Sequence, residues 1–190
     1  GFSGSGGRIA VIYNVAAQTN FNPGVRFETK PGSAAGGYDP FQQQNVEGTV
    51  YFPDISFLSQ DMGNGQFSSV TFFADHFTNW FVSSLTVSNS AIEFGYSNFY
   101  LKVTNNLKIG DYGILGITGN SRLEVGGNVT LLFRSKLFIR GGITNGTGLD
   151  YGGLFSVTGD VIIGRESWIY PTTHYLDGGA PFLRMRDLTI

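Results

Sequence analysis

This sequence predicts an all-β fold: a parallel β-helix, or solenoid, with irregular N-terminal coils. Three observations carry the prediction. Rows of alternating apolar residues recur along the second half of the chain. The longer gaps between rows come from insertions at one point of the repeat. No window of any length shows helical spacing.

The clearest stretch, Leu101 to Gly141, reads as two turns of one unit. Each unit has three short strands ending at Asn, Asp or Gly corners. Rows that align with it start at Leu85, Leu101, Leu123, Phe155 and Leu183, at intervals of 16, 22, 32 and 28 residues. Inward positions are Leu101, Val103, Leu107 and Ile109, then Leu123, Val125, Val129 and Leu131, then Phe155, Val157, Val161 and Ile163. A third strand follows at 114–117, 137–139 and 168–170. The insertions GGITNGTGLDYGG and PTTHYLDGGAP lie after that third strand. Without helices a βαβ arrangement is rejected. An antiparallel sandwich explains the strand density but not the row alignment.

Earlier segments fit the repeat less well. Residues 9–13 are short and β-branched and read as a strand, followed by a loop over 15–24. Residues 25–29 alternate. Residues 30–47, rich in Gly and Gln with two prolines, read as a surface excursion. Strands are expected at 48–54, stopped by Pro53, at 69–74, and as one run over 79–87. The chain reads as a single domain, with irregular coils and loops over 1–66 and regular coils over 67–190. Both ends look cut, so part of a longer parent or of an assembly is expected.

Composition narrows the function. Charged residues make up only 14% of the chain and the net charge is -2, so no basic field points to nucleic acid. No apolar run reaches the ~18 residues of a membrane helix. There is no Cys, which removes disulfides, Cys-based zinc sites and thiol nucleophiles. The 28 Gly lie mostly at the ends of apolar runs and suit corners, while 17 Phe and 9 Tyr suit a β-core or stacked aromatic rows.

Two groups of residues stand out. Ser90, Asn106, Asn128, Asp160 and Asp187 align at one corner, where Asn and Asp tolerate left-handed backbone and stacked amides hydrogen-bond along the column. This is read as a structural ladder. Two stacked carboxylates, Asp160 and Asp187, would repel at a strand spacing of ~4.8 Å unless a cation such as calcium bridged them. The second group is the candidate ligand site: Asp150 and Tyr151 in one insertion, His174, Tyr175 and Asp177 in the other, with Trp168 and Tyr170 just before it. Aromatic faces beside carboxylates suit a sugar. Asp75–His76, the Gly4–Gly7 run and the acceptor motifs at Asn128 and Asn145 carry no further chemistry. Arg134, Lys136 and Arg140 are expected to alternate toward solvent.

The row form L-x-V-x-G-D-L-x-I resembles the repeats of pectate-lyase-like right-handed parallel β-helices. GSGGRIAVIYN, GTVYFPD and GGAPFLRMRDLTI resemble segments of large, Gly-rich, secreted or surface β-helix proteins of bacteria. The resemblance implies right-handed coiling and an extracellular setting. Enzymes of the wider fold cleave acidic polysaccharides with calcium-binding carboxylates and a basic residue on one sheet; no residues here match that motif, so none is carried over. The expected function is a non-catalytic extracellular structural component: a surface, matrix or filament protein. It would self-associate or continue into further coils, since neither end shows a polar cap. A carbohydrate-binding adhesin module using the inserted loops is the alternative. A polysaccharide lyase or hydrolase comes third.

Overall fold

A computed structural model describes residues 6–17, 25–30, 48–143, 152–174, 176 and 178–190. In chain order the strands are β1 (Arg8–Ala10) and β2 (Phe27–Glu28), then β3 (Gly48–Phe52), β4 (Asp61–Met62) and β5 (Phe67–Ser68). Regular triplets follow. They are β6 (Val70–Ala74), β7 (Asn79–Val82) and β8 (Leu85–Val87); β9 (Ala91–Phe94), β10 (Tyr100–Val103) and β11 (Leu107–Ile109); β12 (Ile114–Ile117), β13 (Arg122–Val125) and β14 (Val129–Leu131). The last two are β15 (Lys136–Arg140), β16 (Gly153–Val157) and β17 (Val161–Ile163), and β18 (Trp168–Thr172), β19 (Pro181–Arg184) and β20 (Leu188–Thr189).

These strands build three parallel sheets. Sheet 1 runs β1-β3-β6-β9-β12-β15-β18, sheet 2 runs β7-β10-β13-β16-β19, and sheet 3 runs β4-β8-β11-β14-β17-β20. β2 and β5 form a separate parallel pair. From β6 onward the chain visits sheets 1, 2 and 3 in unchanged order, five times over. Each strand therefore pairs with its equivalent one repeat away, never with its neighbour in sequence.

Alternation decides which side chains are inside. The pattern in β8, β11 and β14 is buried, exposed or half-buried, buried. The buried residues register into columns: Leu85, Leu107, Val129 and Val161 in sheet 3, and Leu101, Leu123 and Phe155 in sheet 2. All seven are fully buried. Burying one such Leu or Val contributes roughly 1.5–3 kcal/mol.

Polar groups close the corners. Asn128 N–H donates to Asn106 Oδ1 at 2.8 Å, and Asp160 N–H donates to Asn128 Oδ1 at 2.9 Å. Two repeats before Asn106, Gln60 takes the same part: its Oε1 accepts from Ser84 N–H at 3.3 Å and from Ser83 Oγ at 2.6 Å. At the next corner Ser135 N–H donates to Ser167 Oγ at 3.1 Å, and both serines are buried. No buried side-chain polar atom among the described residues lacks a partner.

The structure corrects several expectations. Residues 79–87 are two strands, because the chain turns at Ser83 and Ser84 from sheet 2 into sheet 3. Leu85 pairs with Leu107, and it is Trp80 that pairs with Leu101, so the repeat there is 21 residues (101 − 80), not 16. Ser90 therefore lies outside the Asn106 column, where Ser84 takes its place. Ser90 sits at the corner before sheet 1, and its carbonyl accepts from Ile114 N–H at 2.8 Å. Nor is the Asn106 corner left-handed. Positive φ falls instead at His76, Asn98 and Asn120 in one corner and at Asn89, Tyr112, Arg134 and Glu166 in another. The strand expected at residues 9–13 is Arg8–Ala10, and the one expected at 25–29 is only Phe27–Glu28.

Candidate functional site

The outer face of sheet 1 gathers aromatic and charged side chains. Leu137 and Ile139 of β15 point into the core, so Lys136, Phe138 and Arg140 project outward by alternation. Register sets them beside Trp168, Tyr170 and Thr172 of β18. The Phe138 and Tyr170 rings stack with centroids 4.9 Å apart and planes 7° apart. Trp168 continues the surface at 6.4 Å from Tyr170, tilted 31°, and remains 43% exposed. Lys136 Nζ lies 5.2 Å from the Trp168 ring centroid, and the Arg140 guanidinium lies 5.5 Å from that of Phe138.

Arg140 also reaches across the sheet. Its Nε and Nη2 donate to Glu93 Oε1 and Oε2 at 3.0 and 2.9 Å. Glu93 is on β9, two strands away, and the residue of the intervening β12 level with it is Gly116, which in turn is level with Phe138. A Cβ at Gly116 would come within 2.9 Å of the Glu93 side chain, so the missing side chain leaves the lane in which Glu93 lies. The result is an aromatic platform with a cation at each end and an ion pair along one flank. Such a surface can stack the C–H face of a sugar ring and hydrogen-bond its hydroxyls.

Of the residues expected to bind ligand, Trp168 and Tyr170 come together here. His174 lies beyond β18 in a turn: its N–H donates to the Gly179 carbonyl at 2.7 Å, and its carbonyl accepts from Gly178 N–H at 2.9 Å. Asp150, Tyr151, Tyr175 and Asp177 lie outside the described residues. Phe138 and Glu93 were missed. The signal for Phe138 was in the sequence, an aromatic at an outward position of KLFIR. Glu93 had none, because its partner lies 47 residues away.

Two other clusters hold polar groups. A groove of about 310 Å³ lies between the β2–β5 pair and the corner before sheet 1. Arg26, Glu28, Phe67, Asn89 and Tyr112 are among its walls. Further along that corner, Glu166 accepts from Arg134 Nε at 2.6 Å and from Arg165 Nε at 3.1 Å. The Arg134 hydrogen bond holds the Glu166 carboxyl below the usual range. Arg134 itself stands at a left-handed corner, while Lys136 and Arg140 project from the strand.

At the Asn106 corner both Asp160 oxygens accept from Arg186, from Nε and Nη2, each at 2.8 Å. That hydrogen bonding lowers the Asp160 pKa. Arg186 thus places a positive charge beside Asp160 at this corner. No group of three or more His, Cys, Asp or Glu side chains suited to a metal occurs among the described residues. Asp75, beside His76, accepts a hydrogen bond from Tyr51, whose pKa is pushed up to about 12 by that bond.

The fold and this face define a class: an all-β protein of stacked parallel sheets with an aromatic and charged outer surface. Comparison with protein-family models, with curated proteins and with solved structures finds no match.

Proposed function

We propose that the protein is a non-catalytic extracellular structural component, a right-handed parallel β-helix of the pectate-lyase-like kind. The observation that carries this reading is the invariant visiting order. Five successive repeats send one strand to each of three parallel sheets, and the buried side chains register into continuous columns. Such a stack is stabilised by nearest-neighbour contacts and acts as a stiff spacer. Self-association of copies belongs to this reading. Sedimentation velocity across a wide concentration range tests it: concentration-dependent oligomers are expected, and a monodisperse monomer at every concentration would count against it.

A second reading has its own support in the coplanar Phe138–Tyr170 pair continued by Trp168. On this reading the outer face of sheet 1 binds a polysaccharide, making the stack a carbohydrate-binding module. The double variant Trp168→Ala/Tyr170→Ala should abolish glycan-array signal and leave the circular dichroism spectrum unchanged. Undiminished signal would remove the platform from the site.

A further inference from the structure

We propose that the ligand of the outer face of sheet 1 is a sulfated sugar, and that Arg134 and Arg165 hold its sulfate ester at the corner leading into that sheet. This rests on the carbohydrate reading above and names the substrate class of the same site. Two corners of the repeat contain left-handed residues. One holds His76, Asn98 and Asn120, and Asn tolerates that conformation. The other passes from Asn89 to Tyr112, Arg134 and Glu166, three long side chains at a position where Asn suits the backbone better. These three meet Phe133 and Arg165 on the surface.

Phe133 lies under both guanidinium groups, at 4.8 Å from Arg134 and 5.8 Å from Arg165. The Tyr112 ring meets Phe133 edge-on at 5.6 Å. Glu166 accepts from Nε of each arginine, one through each carboxylate oxygen. With Nε so occupied, the open edge of each guanidinium is its Nη1–Nη2 end. Half of the Arg134 side chain and 82% of the Arg165 side chain reach solvent. Arg134 N–H donates to Arg165 C=O, so the two forks stand on adjacent rows, about 4.8 Å apart. A carboxylate is satisfied by one such fork. A tetrahedral ester has three terminal oxygens and takes both. Charge selects among tetrahedral esters. Two guanidiniums and one carboxylate leave one positive charge in excess, which matches the single charge of a sulfate ester. A phosphate ester carries about −1.5 to −2 and would set the surplus against Glu166.

The cluster adjoins the aromatic platform. Ser135 and Ser167 are buried, and the residues on either side of each are not. Arg134 and Lys136 therefore share the outward side, as do Glu166 and Trp168, at most roughly 7 Å apart along the chain. An ester on a sugar ring stacked over Trp168 reaches the two forks.

A glycan array carrying each sugar in matched neutral, sulfated, phosphorylated and carboxylated forms is the test. Wild-type protein should bind sulfated forms about tenfold or more tighter than their neutral counterparts, with an advantage that shrinks as salt rises. Arg134→Gln/Arg165→Gln should lower the sulfated signal to that of the neutral form, whereas Trp168→Ala/Tyr170→Ala loses both. Arg165→Gln alone, at an exposed position outside the left-handed column, should move the signal in the same direction. Arg134→Lys/Arg165→Lys keeps the charge, removes the forks and should lose most of the preference. Unchanged circular dichroism and melting temperature show that the fold persists in each variant. Equal wild-type binding of neutral and sulfated forms overturns the sulfate site and leaves the carbohydrate reading standing. A preference for carboxylated or phosphorylated forms, or one that survives the lysine substitutions, also overturns it. Binding to no glycan removes the carbohydrate reading and the sulfate site together.

Discussion

The first repeats and the later ones fill the same interior with different side chains. From β3 to the turn before β10 the core is aromatic: Phe52, Phe67, Phe72, Phe94 and Phe99 are almost wholly buried, joined by Phe77 and Trp80. Phe72 alone meets Phe52 at 5.0 Å, Phe77 at 5.8 Å, Phe67 at 6.0 Å and Phe94 at 6.3 Å. Its partners belong to several strands and turns. From β10 to β17 the core is columns of Leu, Ile and Val with Phe155 as the one ring among them, each level with its equivalent one repeat away. Aliphatic columns need exact register and reward a constant repeat. Interlocked rings bridge repeats at varied angles and tolerate two-residue strands such as β4 and β5. Regularity in this chain therefore follows from the size of the core side chain.

The largest expected effect is in the aromatic part. Phe72→Ala should cost about 3–5 kcal/mol. A double-mutant cycle with Phe94→Ala should give a coupling of about 0.5–3 kcal/mol, read from denaturant melts. Leu123→Ala should cost less, toward the lower half of about 2–5 kcal/mol, because the column loses one aliphatic side chain and keeps its neighbours. Equal costs at the two positions would break the comparison.

Next comes the close stacking of the regular repeats. A Cβ at Gly126 would lie 2.2 Å from the Thr104 carbonyl oxygen, a backbone atom that moves only with its strand. Gly126→Ala should therefore destabilise by about 1–3 kcal/mol. Gly7, on the N-terminal side, has nothing within 4 Å of an added Cβ, and Gly7→Ala should leave the melting temperature within error.

The smallest effect is electrostatic. Hydrogen bonds from Arg186 and Arg134 hold Asp160 and Glu166 below the usual carboxylate range. Their folded pKa values lie below the unfolded ones. Their contribution to stability is thus present above about pH 4 and is lost as pH falls through the folded values. Both carboxylates reach solvent, which keeps the effect small. Arg186→Met should return the Asp160 carboxyl to its ordinary range in a carbon-detected NMR titration. An unmoved titration would mean that the ion pair does not form in solution.

How much could be read in advance follows the same division. Rows from Leu101 to Ile163 were legible because their aliphatic residues alternate in register with the backbone. The Leu85 row was set one strand off, and the reason is specific. LTV of β8 imitates the L-x-V opening of sheet 2 strands, and the corner before it is Ser83–Ser84, without Gly, Asn or Asp. That corner is held by Gln60, a side chain from the preceding repeat. The candidate face was half legible: Trp168 and Tyr170 stood out, whereas Glu93 met Arg140 only because Gly116 left a lane between them. Left-handed residues such as Tyr112 and Arg134 gave no warning, since their types avoid that conformation and neighbouring repeats hold them there.

Sequence alone determined that this chain is made of short strands, that their inner faces are apolar, and that a repeat of about 22 residues governs the later part. Period-two alternation is a local property of the backbone and needs no fold to be read. Only the tertiary structure decided which strand pairs with which and which corners turn left-handed. Hydrogen-bond direction and register are relations between strands a whole repeat apart, and they exist only once the repeats are stacked.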